Sequence, residues 1–499
     1  MPTTATTVVI PTVGRPSLAV LLRALADATG PAPESVIVVD DRPAGDPLEP
    51  TLAGIDLPGL AVVRSGGGGP ARARNVGWRR SRTPWVSFLD DDVLPDADWP
   101  LRLATDLAGT PGDVAGSQGR VRVPLPAYRR PTDWERTTAG LATARWITAD
   151  MTYRRSALSA VGGFDERFPR AFREDSDLAL RVIATSGRLV TGDRWISHPV
   201  RPADFFVSVR QQAGNADDVL MRRLHGRSWR QACGAGRGRR RRHVAITAGA
   251  VSAVGLLAVG RPGLAGAAAT GSIVGVAEFA AARIAPGPRS PDEIARMAVT
   301  SALIPVAATW HTLRGQWRHR RAQPWRGLPD LVLFDRDGTL VHDVAYNSDP
   351  ALVRPVDGAS EALTRLRSAG VRTGVITNQS GVARGLISPA ELADVNARID
   401  ELLGPFDVWE VCPHGPEDGC GCRKPAPGMV KHACRELDVE PSRSLVVGDI
   451  GTDVEAAEAA GAVGVLVPTP QTRASEVRSA RRCHVDLSTA VDRVLAGDW

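Results

Sequence analysis

Short runs of β-branched and other apolar residues recur along this chain, and many of them end in an aspartate or asparagine. Near the N-terminus they are TTVVIP (6–11), SVIVVDD (35–41) and WVSFLDDD (85–92), with helical patterns such as SLAVLLRALADA between them. The same style returns within residues 326–499 as DLVLFDRD, VRTGVITN, SLVVGDI and AVGVLVP. Such runs predict buried strands. Their alternation with helices predicts parallel α/β sheets.

The length of the chain, 499 residues, predicts two or three domains, because one hydrophobic core rarely grows so large. We predict two Rossmann-like α/β domains, residues 1–232 and 326–499, joined by an α-helical segment, residues 233–325. In open α/β sheets ligands bind beyond the carboxyl ends of the strands. The polar residues that end each apolar run therefore lie where chemistry is expected.

The joining segment differs in composition from both flanks. VAITAGAVSAVGLLAVG (244–260) carries no charge, and LAGAAATGSIVGVAEFAAA (264–282) carries one, Glu278. Arginines flank the pair at Arg237–Arg242 and again in RGQWRHRR (314–321). Apolar runs near the length limit for a bilayer, with basic outer flanks, predict a membrane-associated hairpin or re-entrant pair whose outer ends face the cytoplasm.

Two charges count against full crossing of a bilayer, Glu278 in the second run and Arg261 at the tip. The alternative is a buried helical connector, or helices that pack on a partner. The following stretch, IARMAVTSALIPVAATWHTL, is typical of an interfacial helix. The basic runs lack a base-reading motif or an aromatic platform, so we expect no nucleic-acid partner.

Composition narrows the class of protein further. The chain is 43% hydrophobic and 23% charged, which is typical of globular rather than disordered proteins. Six cysteines, three of them clustered, do not form the pattern of a secreted disulfide scaffold. The N-terminus lacks the pattern of a signal peptide. We therefore expect a cytoplasmic protein, held at the cytoplasmic face of the membrane by the joining segment.

The C-terminal strand ends carry the residue types of phosphoryl transfer. In FDRDGTL one carboxylate lies on each side of a single residue: Asp335 precedes Arg336 and Asp337 follows it. Phosphoryl transfer needs a nucleophile and a separate acid/base close together. ITNQSG adds a hydroxyl and an amide, CRKP a lysine, and VVGDIGTD two further carboxylates. In chain order the charged groups are Asp335, Asp337, Lys424, Asp449 and Asp453.

This order of motifs resembles the haloacid dehalogenase (HAD) superfamily of phosphatases across nearly all of residues 330–470. The resemblance implies that Asp335 attacks phosphorus and forms an aspartyl-phosphate, while Asp337 protonates the leaving oxygen and then activates water. It further implies that Thr377 and Asn378 hold the phosphoryl oxygens and that Lys424 neutralises charge between nucleophile and phosphate. Cations and positioning suit a highly charged transferred group.

The resemblance also implies one Mg²⁺, held by Asp335, the main chain of Asp337, and Asp449. The motif GDIGTD departs from some relatives, which carry a basic residue after the first aspartate. This departure affects the details of the metal site more than the reaction.

A cysteine-rich loop, CPHGPEDGCGCRKP, precedes the lysine. Its spacing C-x-H-x5-C-x-C supplies three thiolates and one imidazole, a closed tetrahedral set for a structural Zn²⁺ that leaves no position for water. A disulfide is disfavoured, because the other motifs are intracellular and C-x-C pairs strain badly. The four ligands are Cys412, His414, Cys420 and Cys422. Zinc would act as a clamp on the loop that delivers Lys424.

The zinc loop narrows the resemblance to two subfamilies, the histidinol-phosphate phosphatases and the D-glycero-D-manno-heptose 1,7-bisphosphate phosphatases. NQSGVARG and the segment from Asp335 to Pro350, with Tyr346, are similar to the heptose enzymes. Arg384 and Arg423 suit the second phosphate of a bisphosphate, since guanidinium groups bind phosphate in a bidentate manner. We expect a small soluble sugar phosphate as substrate, because the sequence has no long insertion for a large cap.

The N-terminal motifs are VVIPTVGRP, IVVDDRP, GPARARNVGWRRS, VSFLDDDVLPDADW and a later GGFDERFPRAFREDSDLALR. A strand that ends in three aspartates offers hard oxygen ligands for Mg²⁺ or Mn²⁺ with a bridging diphosphate. In this order the motifs resemble the family 2 glycosyltransferases with the GT-A fold, over roughly residues 5–215.

That resemblance implies a nucleotide-sugar donor. Thr12, Asp40 and Asp41 would contact its base and ribose, and Arg74 would lie near the nucleotide. TADMTYRR has Asp150 where relatives often carry a neutral residue, which leaves the contacts to the acceptor open.

The catalytic end of the transferase is assigned by the same resemblance. Asp90 and Asp92 would serve ribose, metal and diphosphate, with His198 as a further ligand to Mg²⁺ or Mn²⁺. Asp175 would deprotonate the acceptor hydroxyl and invert the sugar carbon, and Glu174 would orient it. A lone histidine is more often structural, and a carboxylate at a helix start often lies only at the surface.

Together the motifs predict a bifunctional, membrane-associated enzyme. One hypothesis joins its halves: the phosphatase makes heptose 1-phosphate on the route to a nucleotide-heptose, which the transferase then uses. The acceptor stays open. The rival hypothesis is a histidinol-phosphate phosphatase with a non-catalytic nucleotide-sugar-binding module, against which NQSGVARG and the intact Asp90, Asp92 and Asp175 count.

Overall fold

The fold is described from a computed structural model that covers residues 3–48, 52–236, 238–495, 497 and 499. The chain divides into two compact units, Met1–Pro324 and Trp325–Trp499, each with its own β-sheet. The predicted α/β class is confirmed. The predicted boundary at residue 232 stays a prediction, since the joining helices fall within the first unit. Arg237 of the basic flank lies outside the described residues.

The first unit contains one eight-stranded sheet in the order β3-β2-β1-β4-β7-β6-β8-β5. Its strands are β1 (Thr3–Thr12), β2 (Ala32–Asp40), β3 (Leu60–Arg64), β4 (Trp85–Leu89), β5 (Leu94–Pro95), β6 (Val114–Arg122), β7 (Asp150–Arg154) and β8 (Arg188–Ser197). Its helices are α1 (Ser17–Ala26), α2 (Pro70–Arg80), α3 (Trp99–Leu107), α4 (Asp133–Ala139), α5 (Arg155–Val161), α6 (Glu174–Thr185), α7 (Val207–Arg210), α8 (Gly214–His225), α9 (Trp229–Ala232), α10 (Arg240–Ala258), α11 (Pro262–Ile284) and α12 (Pro291–Arg318).

The prediction of a parallel sheet holds for β3, β2, β1 and β4. It holds again for β6 and β8, which pair in parallel. It is wrong for β7, which runs antiparallel to both β4 and β6, and for β5, which runs antiparallel to β8. The β-branched runs that supported the prediction cover only the parallel half. In that half Thr12 pairs with Asp40 across β1 and β2, so both strands end at the same edge. Because β4 runs parallel to β1, the three aspartates that follow β4 lie at this edge as well.

Asp150, whose presence in the sequence was unexplained, is a structural residue. It is fully buried and accepts hydrogen bonds from Arg194 Nε at 2.8 Å and Trp99 Nε1 at 2.7 Å. A side chain at position 119 could not fit, since a Cβ on Gly119 would lie 2.1 Å from Asp150 Oδ2. Because Arg194 is also fully buried, this ion pair compensates a guanidinium in the interior.

Helices α10, α11 and α12 contact one another and follow the sheet. Among the described residues, α11 is the one helix long and apolar enough to cross a membrane, with mean hydropathy 1.4 over its best window. The apolar part of α10 is shorter, since the helix begins with three arginines. Along its inner face α12 packs on α8, where Gly315 allows close approach: a Cβ there would lie 2.7 Å from the Cα of Ala216.

The second unit contains a five-stranded parallel sheet in the order β11-β10-β9-β12-β13. Its strands are β9 (Leu331–Phe334), β10 (Arg372–Asn378), β11 (Val408–Cys412), β12 (Ser444–Gly448) and β13 (Val463–Leu466). Its helices are α13 (Ala359–Ser368), α14 (Pro389–Leu403), α15 (Gly428–Glu436), α16 (Gly451–Ala460), α17 (Ala474–Ser479) and α18 (Leu487–Leu495).

The register of this sheet positions the second site. Phe334, at the end of the central strand, pairs with Val375 on one side and Val447 on the other. All of β9 is buried between two apolar layers. The residue after Phe334 therefore emerges between the carboxyl ends of β10 and β12.

Candidate active sites

Asp335 emerges at this central position in the second unit. Lys424 contacts its carboxylate, and the same ammonium lies 2.7 Å from Asp453 Oδ1 and donates to the Ile376 carbonyl oxygen at 3.1 Å. All four residues are buried. The lysine thus links the ends of β9, β10 and β12, as the predicted neutralising role requires.

Burial sets the protonation behaviour of this cluster. It raises the pKa of Asp335 to about 8, against the opposing effect of Lys424. Burial, together with the nearby Asp453 charge, raises the pKa of Asp449 to about 6. Although burial acts to lower it, the pKa of Lys424 is raised by Asp335 and Asp453. A bound divalent cation would favour the ionised carboxylates.

The carboxylates fit a hard divalent cation such as Mg²⁺. One oxygen from each of Asp335, Asp449 and Asp453 lies within 4.8 Å of the other two. Asp449 can approach because residue 338 is glycine: a Cβ there would lie 2.4 Å from Asp449 Oδ2. To the set predicted from the sequence the structure adds Asp453, which reaches this cluster from the first turn of α16.

Asp337, the predicted acid/base, is held by side chains on both sides. Gln379 Nε2 donates to Asp337 Oδ2 at 2.7 Å and to Thr377 Oγ1 at 2.9 Å, and Arg336 Nη2 lies 2.9 Å from the same carboxylate. Gln379 therefore connects the acid/base with a predicted phosphate-binding residue. No motif in the sequence assigns a role to this glutamine; its one signal is its position two residues after the Thr377 hydroxyl.

Asn378 uses its side chain to hold Lys424. Its Oδ1 accepts from Lys424 N at 3.1 Å, and its Nδ2 donates to Lys424 O at 3.2 Å. These two bonds fix the main chain from which the lysine extends. In this arrangement the side-chain amide of Asn378 positions the Lys424 ammonium. The predicted contact of Asn378 with phosphoryl oxygens stays a prediction.

The four predicted zinc ligands converge at the end of β11. Cys412 Sγ lies 3.7 Å from Cys420 Sγ and 3.4 Å from Cys422 Sγ, and His414 Nδ1 lies 3.7 Å and 3.3 Å from Cys412 and Cys422. With a Zn–S bond of about 2.3 Å, the edge of a sulfur tetrahedron is about 3.8 Å. The cysteines are free thiols at nearly that spacing, so they fit a tetrahedral metal.

The two arginines predicted to bind a second phosphate lie on neighbouring loops. Arg423 belongs to the cysteine loop and donates to the His414 carbonyl oxygen at 3.1 Å. Arg384 donates to Tyr346 Oη at 2.7 Å from the loop after β10. The loops are joined at their bases, where Ala383 N donates to Pro413 O at 3.2 Å.

In the first unit, Thr12 and the middle aspartate of the triple form one contact. Thr12 Oγ1 donates to Asp91 Oδ2 at 2.6 Å, and Arg15 Nη1 donates to Asp91 Oδ1 at 2.6 Å. Asp91 is buried. It therefore connects the end of β4 with the loop after β1, and its two neighbours in the sequence remain available to the site.

Asp40 and Asp41 turn to different partners after β2. Arg42 holds Asp40 through two hydrogen bonds of 2.8 Å, which lowers the pKa of that carboxyl. Asp41 accepts from Ser65 Oγ at 2.6 Å and from Gly69 N at 2.9 Å. Both lie at the edge predicted for the donor, and both have fixed orientations.

Arg74 lies at the centre of the predicted donor site. This buried guanidinium donates to Asp90 Oδ1 at 2.7 Å and to Glu174 Oε1 at 2.8 Å, and it lies over the ring of Phe164. Burial, with the adjacent Asp175 charge, raises the pKa of Glu174 to about 8. Arg74 thus connects the aspartate triple with the acidic pair of α6.

Asn75, beside Arg74, explains why ARN and GGFDE occur together. Its Oδ1 accepts from Phe164 N at 2.8 Å and from Trp78 Nε1 at 2.9 Å. Its Nδ2 donates to Phe164 O and Glu166 Oε1 at 2.9 and 2.8 Å. The buried side-chain amide of Asn75 thus makes four hydrogen bonds, three of which hold the loop that precedes α6.

Asp90, Asp92 and His198 each offer a ligand atom within 4.8 Å of the others. Asp92 is buried and contacts Arg201, and its Oδ1 has no hydrogen bond in the described part of the chain. His198 Nδ1 faces the Pro199 carbonyl oxygen at 3.2 Å, which favours a proton there and leaves Nε2 as an electron-pair donor. This set fits a divalent cation.

Asp175 lies in the first turn of α6 beside Glu174. Its Oδ1 accepts from Ser176 N at 2.6 Å, and burial raises the pKa of this carboxyl, as a general base requires. The preceding Arg173 has φ +78°, in the left-handed region, and is held by Asp218 at 2.9 Å and by the ring of Trp229. The contacts of Arg173 maintain its strained backbone conformation, which sets the direction in which α6 begins and so orients Glu174 and Asp175.

Together the two folds and the two constellations define a transferase unit and a phosphohydrolase unit. Residues 7–165 match the family model of glycosyl transferase family 2, and residues 421–491 match the HAD-hydrolase-like model. The chain belongs, in its second unit, to the D-glycero-D-manno-heptose 1,7-bisphosphate phosphatases of the HAD superfamily, and its first unit contains a glycosyl transferase family 2 domain. It is therefore both a sugar transferase and a phosphatase.

Three proteins illustrate what each part of this chain is similar to. The D-glycero-β-D-manno-heptose-1,7-bisphosphate 7-phosphatase of Bordetella bronchiseptica is 38% identical over 148 residues, which are 29% of this chain and 83% of that protein. A crystal structure of the B. bronchiseptica D,D-heptose 1,7-bisphosphate phosphatase with magnesium and phosphate is 34% identical; the match covers 34% of this chain and 98% of that one, with TM-score 0.32. A Pyrobaculum calidifontis mannosyltransferase, solved with GDP-Man and Mn²⁺, is 18% identical; the match covers 63% of this chain and 87% of that one, with TM-score 0.36.

Proposed function

We propose that the second unit removes the 7-phosphate of D-glycero-D-manno-heptose 1,7-bisphosphate and releases the 1-phosphate. The observation that carries the proposal is the contact of Asp335 with Lys424 at the end of the central strand, with Asp337 held beside it. The named activity of relatives such as the Bordetella enzyme supports the choice of substrate.

The reaction proceeds in two displacements. An oxygen of Asp335 attacks phosphorus, the bond from phosphorus to the C7 oxygen breaks, and Asp337 gives that oxygen its proton. Asp337 then takes a proton from water, which attacks the aspartyl-phosphate and frees Asp335. Lys424 balances the charge that builds up on the phosphoryl oxygens.

Asp335, Asp449 and Asp453, with the main chain of Asp337, would hold Mg²⁺, which would supply positive charge that stabilises the transferred group. The C1 phosphate binds Arg384 and Arg423 on the adjoining loops. The cysteine set would hold Zn²⁺, which would stabilise the second of these loops and, through its last residues, Lys424.

The test is phosphate release by the purified full chain with Mg²⁺. The substrates are both anomers of the heptose bisphosphate and histidinol phosphate, and Asp335→Asn is the blank. We expect turnover of a heptose bisphosphate at least about tenfold faster than of histidinol phosphate. Preference for histidinol phosphate would replace the heptose assignment with the rival one.

For the first unit we propose inverting transfer from a nucleotide-sugar with Mg²⁺ or Mn²⁺. Asp175 removes the proton of the acceptor hydroxyl, which then attacks the anomeric carbon as the bond to the nucleotide diphosphate breaks. Arg74 holds Asp90 and Glu174 in the geometry on which donor and base depend. Donor binding without any transfer, tested over a panel of nucleotide-sugars, would favour a binding module instead.

We further propose that the donor is a nucleotide-heptose and that the enzyme works at the cytoplasmic face of a membrane. The fusion of the two units and the heptose-type relatives support the first statement, and the basic-flanked apolar helices support the second. A radiolabelled nucleotide-heptose should be consumed faster than the corresponding nucleotide-hexose. Transfer from other donors alone would break the link between the two halves.

A further inference from the structure

An arginine-lined cavity in the first unit belongs to neither catalytic site. It lies among α8, α9 and α10 and measures about 410 Å³. The side chains of four lining arginines make neither a hydrogen bond nor an ion pair within the described residues: Arg222, Arg227, Arg240 and Arg241. The one carboxylate of the lining, Asp218, is already paired with Arg173 and Arg230. The cavity therefore concentrates positive charge that the protein does not balance.

An apolar groove continues from the same arginines. It lies between α10 and α12, measures about 600 Å³, and is lined by Val244, Ala248, Val251 and Leu313. Arg240 and Arg241 line both the cavity and the groove. A ligand with an anionic head and an apolar chain would fit both at once.

The outer faces of these helices are apolar and exposed. On α12 one stripe repeats at spacings of three and four residues and contains two tryptophans that are 63% and 69% exposed: Val299, Leu303, Val306, Trp310, Leu313 and Trp317. Large exposed apolar surfaces mark interaction sites, and tryptophan is enriched where a bilayer meets water. The groove thus opens beside a surface suited to lipid.

We propose that this cavity binds the phosphate head group of an anionic phospholipid, with part of one acyl chain in the groove. Guanidinium groups bind phosphate through paired hydrogen bonds, and four unpaired ones face a single cavity. A simple solvated run of arginines would not share its members with an apolar groove. The inference rests on the proposed membrane association and gives it a specific lipid site.

The cavity is next to the transfer site. Asp218 and Trp229 line it, and both hold Arg173, the strained residue directly before Glu174 and Asp175. A phospholipid bound there would place the acidic pair of α6 close to the plane of the head groups. The transferase would then meet acceptors at the membrane surface.

The test measures binding of the full chain to two kinds of vesicle, phosphatidylcholine alone and an equal mixture with phosphatidylglycerol. Each arginine near an anionic surface contributes a roughly fivefold gain in affinity. The double variant Arg240→Gln/Arg241→Gln should therefore bind mixed vesicles roughly 30-fold more weakly and phosphatidylcholine vesicles unchanged. Ala248→Trp, which fills the groove, should also weaken binding to mixed vesicles.

A matched control removes the same charge elsewhere in the first unit. Arg23 and Arg82 are exposed and have no ion pair in the described chain, so Arg23→Gln/Arg82→Gln should change vesicle binding less than about twofold. Thermal unfolding and the phosphatase rate establish that each variant is folded.

Four results would overturn the lipid site. An equal loss in the control variant would show only general charge attraction. Equal binding to both vesicles would leave membrane association without a site specific for an anionic phospholipid. If inorganic phosphate at matched ionic strength displaced the protein from mixed vesicles, and Ala248→Trp bound those vesicles as well as the parent chain, the cavity would be assigned to free phosphate. Absence of binding to any vesicle would remove the membrane association as well.

Discussion

The two sites of this chain compensate their carboxylates in different ways. In the phosphatase unit one buried lysine lies between Asp335 and Asp453. In the transferase unit separate arginines hold Asp40, Asp91 and the pair Asp90–Glu174. A small phosphoryl group suits a compact point charge, whereas an extended nucleotide diphosphate suits planar guanidinium groups spread along an edge. The size of the ligand and the spread of the cations therefore agree in each unit.

The comparison implies that the two activities are separable, and the largest expected effect tests this. Asp335→Asn removes the nucleophile, so phosphate release should fall by roughly 10⁴-fold or more. Sugar transfer and the thermal unfolding of the chain should not change. Phosphate release and donor consumption, measured on the same preparation, check both statements; a parallel loss of transfer would show that the units are coupled.

The reciprocal change is Asp175→Asn in the first unit. Loss of a general base typically costs 10²–10⁴-fold in rate, and we expect roughly 10³-fold. Donor affinity should stay within about twofold, since the contacts of Arg74 with Asp90 and Glu174 are untouched. Calorimetric donor titration and a rate assay separate these effects. Full activity in this variant would move the base to another residue.

Removal of zinc should act on the phosphatase through position rather than chemistry. In Cys422→Ser the loop loses one ligand only two residues before Lys424, and supporting groups of this kind typically change activity 10–100-fold. We expect phosphate release to fall by about that factor, with metal content measured by mass spectrometry.

The matched control for this change is Cys483→Ser, a free cysteine outside the four-residue set. It should keep both zinc and activity. Stoichiometric zinc in Cys422→Ser, or an unchanged rate after complete zinc loss, would contradict the clamp.

The smallest effect sharpens the substrate assignment. Arg384→Ala removes one charged contact to the second phosphate, typically 1.5–3 kcal/mol, or roughly 10–100-fold in kcat/KM for the bisphosphate. A sugar 7-phosphate without the second phosphate should be hydrolysed at the same rate by both enzymes. Equal losses on both substrates would place Arg384 at the reacting phosphate.

The sequence predicted most residues of both sites, because they directly follow apolar strands. Parallel strands must bring their carboxyl ends to one edge, so Asp335, Thr377 and Asp449 had to meet once β9, β10 and β12 were recognised. The four proposed zinc ligands could also be predicted from the sequence, since they lie within eleven residues. In both cases the order and spacing of nearby residues were enough for the prediction.

Other features depend on contacts between distant elements. Three sets of contacts join residues that are 16 to 100 positions apart, and no local pattern predicts such pairings: Gln379 with Asp337, Asp453 with Lys424, and Arg74 with both Asp90 and Glu174. The antiparallel β7 was missed for the same reason. Asp150 is a departure from related sequences near the acceptor site, and its buried ion pair with Arg194 explains why an aspartate stands there.

By itself the sequence determined the two α/β units, the order of their candidate catalytic groups and the cysteine-rich loop, because strand periodicity and residue spacing are local properties. The tertiary structure decided which charge compensates which. It also placed four arginines around one cavity, two of which line an apolar groove as well. Electrostatic energy depends on distances between side chains and on their burial. Those quantities exist only once the chain has folded.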